Sequence, residues 1–169
     1  MFIAILQHTP VWVWGLLAAL IALGLWQTRD REMTLMRVTI LPLVLISLSL
    51  SGVLSAFGQF PIALGGWVAG VGVALSVGRQ LVAARGARWS AEAGLLHVPG
   101  SWLPLALIVG LFCIKYFAGA SLALHSALAH DAIFAGLCSL AYGSFSGLFL
   151  ARALNLRSLA TRTTTLNAA

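Results

Sequence analysis

Five apolar runs, residues 9–26, 39–57, 62–82, 102–122 and 132–152, follow one another along this chain with only short polar links between them. A helix needs about 20 apolar residues to cross ~30 Å of hydrocarbon, and in lipid it must satisfy every backbone N–H and C=O internally. Runs of this length leave few other folds open. Composition agrees: 60% of the residues are hydrophobic and 8% charged, where a soluble domain carries about 25% charged residues. Mean hydropathy is +0.99. The expectation is an all-α, polytopic membrane protein with five transmembrane helices, a single domain over 1–169, and the lipid bilayer as its first partner. The opening run has no basic stretch before it and no small-residue cleavage site after it, so it reads as mature structure rather than a signal peptide.

The links carry the direction. Residues 27–38 hold Arg29, Arg31 and Arg37, residues 79–101 hold Arg79, Arg85 and Arg88, and the tail holds Arg152, Arg157 and Arg162. The alternate links, 58–61 and 123–131, have no Lys or Arg. Nine of the ten basic residues thus share one side. The positive-inside rule makes that side the cytoplasm, with the N-terminus out and the C-terminus in. The net charge of +6 then reports topology, and no nucleic-acid partner is expected. Trp12, Trp14, Trp26, Trp67 and Trp102 lie near span ends, where indoles anchor helices at the interface. Within the second basic link, Trp89, Ala93 and Leu96 recur at three- and four-residue spacing beside Arg85, Arg88 and Glu92. That spacing predicts a short interfacial helix over 85–98 on the cytoplasmic side, ended by Pro99 and Gly100.

Two segments look alike. "ILPLVLI" from Ile40 and "WLPLALI" from Trp102 open spans two and four, and Trp14/Gln27 match Trp67/Gln80 at the same thirteen-residue separation. The pattern suggests a two-helix unit used twice (spans one and two, then three and four), with the fifth helix added. Small residues recur every four positions in span five, at Ser139, Gly143, Gly147 and Ala151. Such rows let helix backbones approach closely. They serve internal packing, or a contact with another membrane protein or a second copy.

Lys115 is the one charge set deep within a span. A cation at the bilayer centre costs at least ~2.5 kcal/mol on insertion scales. It lies seven residues from the end of the run at residue 122, about 10 Å at 1.5 Å per residue. A lysine stem can snorkel much of that distance. Its candidate partners are Ser51, Ser55, Ser139 and Tyr142 at similar depth, and Asp131 farther out. Asp131 also fits an N-cap for span five. In the repeat alignment Val53 stands where Lys115 does, so the lysine breaks the symmetry.

His8, His125 and His130 fall on the side opposite the arginines. Together with Asp131 they are weak candidates for a metal or haem site, and no cofactor is favoured. Cys113 and Cys138 lie in apolar runs and read as packing residues. No HExxH, CxxC, P-loop, GxGxxG or serine-elbow pattern occurs.

The segments "QHTPVWVWGLLAALI", "VPGSWLPLALIVGLFCIKYFAGA" and "YGSFSGLFLARAL" resemble a family of small bacterial multi-span inner-membrane proteins of unknown function. The resemblance implies the bacterial inner (cytoplasmic) membrane and no particular activity. Three functions remain open. One is a non-catalytic interaction subunit or helper of a membrane complex. Another is a small solute, ion or proton transporter or binder using Lys115. The third is a haem- or metal-binding redox protein using the histidines.

Overall fold

The computed structural model describes residues 11–82, 86–90 and 93–167. In chain order its elements are α1 (Val11–Trp26), β1 (Arg31–Met33), α2 (Leu35–Phe57), α3 (Pro61–Leu81), β2 (Arg88–Ser90), β3 (Leu95–Val98), α4 (Leu103–Leu124), a 3-10 turn (Ser126–His130) and α5 (Ala132–Asn167). Among the described residues four helices are long and apolar enough to cross a membrane: α2, α3 over Pro61–Gln80, α4, and α5 over Ala132–Thr161. That makes the chain consistent with a membrane protein. The described part of the apolar α1 comprises 16 residues, Val11–Trp26.

Helix starts follow local chemistry. Thr34 accepts from the Arg37 N–H at 3.5 Å and caps α2. Pro61 and Pro104 sit in the first turn of α3 and α4, where the missing N–H has no helical acceptor in any case. The Asp131 carboxylate accepts from the N–H groups of Ile133 (2.8 Å) and Phe134 (3.1 Å), the capping role its position suggested. Two helices outrun the apolar segments that predict them. α4 continues to Leu124, and α5 runs to Asn167 rather than stopping near 152. The extension of α5 persists because Ala153, Leu156 and Ala160 keep helical spacing and are buried.

What buries them corrects the reading of residues 85–98. The described part of this segment is not an interfacial helix but the strands β2 and β3. Together with β1 they form a three-stranded antiparallel sheet of order β1-β3-β2. The period of two prevails over the three- and four-residue spacing. Leu96 and Val98 are buried while His97 between them is exposed, and Trp89 is half-buried between exposed Arg88 and Ser90. Met33, Leu96 and Trp89 are opposite one another across the three strands. This row packs with Val38 of α2 and Ala153, Leu156 and Leu159 of α5. At Gly94, just before β3, the backbone adopts φ +62°, a conformation that glycine takes without steric penalty.

The sheet unites the first and third links at one end of the helices. Asp30 strengthens the junction by accepting from the Gly100 N–H at 2.7 Å. At the opposite end the Gln59 side-chain amide donates to the Ala129 carbonyl at 3.0 Å, joining the second link to the 3-10 turn. The arginine-bearing links therefore share one end of the molecule and the histidine-bearing link lies at the other.

Lipid tails are as apolar as leucine, so helices in a membrane associate through close contact and interhelical hydrogen bonds rather than hydrophobic exclusion. α3 and α5 run parallel and show this along their length. A Cβ on Gly66 would lie 2.7 Å from the Gly136 carbonyl oxygen, and one on Gly147 would lie 2.6 Å from that of Val71. Cβ atoms on Gly70 and Gly143 would collide with the carbonyl oxygens of Leu140 and Trp67. Ser139, Gly143, Gly147 and Ala151 are all buried within the chain. That row lies in the α3–α5 contact.

Hydrogen bonds tie α2 into this pair. The Trp67 indole N–H donates to the Ser49 hydroxyl at 3.2 Å, and that hydroxyl donates to the Tyr142 carbonyl at 3.4 Å. Trp67 is thus a half-buried link between helices and not the interfacial anchor its place in the sequence suggested. Toward the histidine end, Val53, Phe57, Ala63, Ala118, Ala135, Cys138 and Tyr142 form the core between α2, α3, α4 and α5. α1 packs on α4, with Gly24 against Leu105.

Candidate functional site

Lys115 is the thirteenth of the 22 residues of α4, so it lies nearer mid-helix than the apolar run implied. Nine residues separate it from Leu124, about 13 Å at 1.5 Å per residue, roughly twice the reach of its stem. Leu111, Ile114, Ala118 and Leu122 turn toward the core. At 100° per residue Lys115 flanks that stripe instead of opposing it. Its side chain is exposed and points across to α2, where its Nζ lies 3.6 Å from the place a Cβ on Gly52 would take. Among the described residues Lys115 makes no hydrogen bond or ion pair.

The predicted partners separate. Ser51 and Ser55 are exposed on α2 near Gly52, but their hydroxyls donate to their own helix, to the Leu48 and Gly52 carbonyls at 3.1 Å each. Tyr142 is buried in the core. Ser139 is wholly buried, and among the described residues its hydroxyl has no hydrogen-bond partner. Asp131 is occupied at the start of α5. Of the histidines, His125 and His130 are exposed at the two ends of the 3-10 turn, and His8 lies outside the described residues. Among the described residues no three of His, Cys, Asp and Glu converge as a metal site. Cys113 is exposed, Cys138 is buried, and both are free thiols.

A second charged locus lies at the arginine end and was not legible in the sequence. A cavity of about 50 Å³ is lined by Gln27, Arg31, Met33, Val38, Pro42, Pro104, Phe149, Arg152, Ala153 and Leu156. It sits where α1 ends and α2 and α4 begin. The two prolines of the "LPL" segments both line it, although only Pro104 lies in the first turn of its helix; Pro42 is the eighth residue of α2, further inside its helix than the sequence pattern suggested. The Arg31 guanidinium donates to the Gln27 side-chain oxygen at 3.0 Å. Burial lowers the pKa of Arg31 from its ordinary value. Arg152 is half-buried, makes no hydrogen bond or ion pair among the described residues, and is close enough to Arg31 for the two charges to repel. Alternation along β1 was the usable signal: it puts Arg31 on the same side as Met33, facing the helices.

The model of the Family of unknown function (DUF6622) matches residues 1–166, and the chain belongs to that family. No curated protein and no solved structure matches the chain.

Proposed function

We propose that this DUF6622 chain is a non-catalytic subunit or helper of a complex in the bacterial inner membrane, and that Lys115 is the charge through which it meets its partner. The supporting observation is an uncompensated cation at mid-helix, exposed on the side of α4 that faces Gly52. An intramembrane charge costs about 2.5–3.5 kcal/mol on insertion scales and is retained where protein or water answers it. This chain supplies no answering carboxylate among its described residues: Asp131 caps α5, Asp30 holds Gly100, and Glu32 is exposed on β1. A partner helix bearing Asp or Glu at that depth would pair with the lysine and remove the penalty.

In this reading α1 is a fifth span, the N-terminus is outside and the arginine end is cytoplasmic. The shared "LPL" segments support descent from a repeated two-helix unit. Labelling of single-cysteine variants checks orientation: Gln7→Cys should react from the periplasm and Thr163→Cys should not. The docking charge is checked by purifying tagged full-length chain from its native membranes. Lys115→Met should lose a partner that the wild type retains at fixed stoichiometry, and Lys115→Arg should keep it. Equal retention by Lys115→Met refutes the docking role. The same exposed lysine favours one second reading, a small anion or proton transporter. There Lys115→Met would abolish flux in liposomes with the association state unchanged.

A further inference from the structure

The arginine-end cavity carries an inference independent of Lys115 and its partner. Two arginines, Arg31 and Arg152, line one small space, and no described carboxylate pairs with either. Gln27 is 9% exposed and holds Arg31 in place through its side-chain oxygen. Among the described residues its amide nitrogen has no acceptor, so it remains available to donate. The other walls are apolar, from Met33, Val38, Phe149 and Leu156, with Pro42 and Pro104 offering no N–H group. Apolar walls exclude water and strengthen any charge interaction inside. Two repelling cations are stable together when an anion lies between them, and arginine's planar fork matches phosphate oxygens in pairs. One water needs about 10–15 Å³, so the 50 Å³ present suffices for a tetrahedral oxyanion.

The level of the cavity along the helices narrows the source. Trp26, the last residue of α1, and Trp102, which precedes α4, are 72% and 67% exposed at the same end. Exposed indoles at helix ends mark the headgroup region, where lipid phosphates lie and where basic pockets between helices bind anionic headgroups. We propose that this cavity binds a phosphate group between Arg31 and Arg152, carried by an anionic lipid headgroup or present as the free ion.

The test uses the full-length chain in mild detergent. Phosphatidylglycerol is titrated against phosphatidylcholine and bound copies are counted by native mass spectrometry. Inorganic phosphate is titrated against chloride at matched ionic strength and the melting temperature is followed. The expected result is saturable binding of one equivalent in one arm. The lipid arm alone identifies a headgroup site, and the phosphate arm alone identifies a free-ion site. Arg31→Gln and Arg152→Gln should each weaken that binding about tenfold or more, the worth of a charge-assisted hydrogen bond. Arg29→Gln, an exposed arginine that does not line the cavity, should leave it unchanged. Absence of saturable binding in both arms overturns the proposal. So does equal weakening by Arg29→Gln, which would mean a general basic surface. If Arg152→Gln does not fold, the wild-type titrations and Arg31→Gln decide alone.

Discussion

Replacing Gly143 with alanine adds a single methyl group to α5 at its closest approach to α3. That methyl would collide with the Trp67 carbonyl oxygen and stand 2.9 Å from the carbonyl carbon and 3.0 Å from Cα of the same residue. All three are backbone atoms, so no rotamer change relieves the contact. α3 must withdraw by something near an ångström. A gap of 0.5–1 Å forfeits roughly a quarter to a half of each dispersion contact it touches. The loss propagates along the row, because Gly66, Gly70 and Gly147 depend on the same helix separation. Overpacking costs about 1–3 kcal/mol, and replacing a helical glycine returns up to ~1 kcal/mol. Gly143→Ala should therefore destabilise by about 1–2 kcal/mol net. The control is Gly72→Ala, on α3, where an added Cβ meets nothing within 4 Å. That variant should be neutral or more stable by up to ~1 kcal/mol. Equilibrium unfolding in mixed micelles, followed by tryptophan fluorescence, measures both. Gly70→Ala strains the same contact from the other side. Once the helices have parted for one methyl the second costs less, so the double variant should lose less than the sum of the singles. If Gly143→Ala is as stable as Gly72→Ala, close packing of α3 on α5 is refuted.

Ser139→Ala should raise stability by about 1 kcal/mol in the same assay, since its hydroxyl is buried without a partner among the described residues and an unsatisfied buried group costs ~1–3 kcal/mol. Asn155 donates to the carbonyls of Arg79 (3.0 Å) and Val82 (3.1 Å) at the end of α3. Asn155→Ala should lower stability by about 1–2 kcal/mol by leaving carbonyls at the helix end without a donor. Gly94→Ala forces an L side chain into φ +62° and should cost about 1–2 kcal/mol. Its effect should be sharpest on hydrogen exchange of the β3 amides.

The long apolar runs, the arginine-bearing links and the Asp131 cap were legible because each is a property of a few adjacent residues. A helix satisfies its own backbone within four positions, and a capping carboxylate reaches the next turn. The small residues of α5 were legible as a close-packing surface, but what they pack against was not. That answer came from Gly66, Gly70 and Gly78 of α3, some seventy positions earlier in the chain. Residues 85–98 show the limit most clearly. Trp89, Ala93 and Leu96 satisfy a helical period, while Leu96, His97 and Val98 satisfy a strand period. The choice between them fell to β1, whose Arg31 pairs with Val98 across 67 positions of chain. A strand completes its hydrogen bonds only on a neighbour, so its identity belongs to the fold and not to the segment. Arg31 and Arg152 were visible in the sequence as two of many basic residues near helix ends. Only the crossing of α2, α4 and α5 with the sheet brings them to one cavity, because burial of a charge depends on which surfaces converge around it, and local sequence does not encode that convergence.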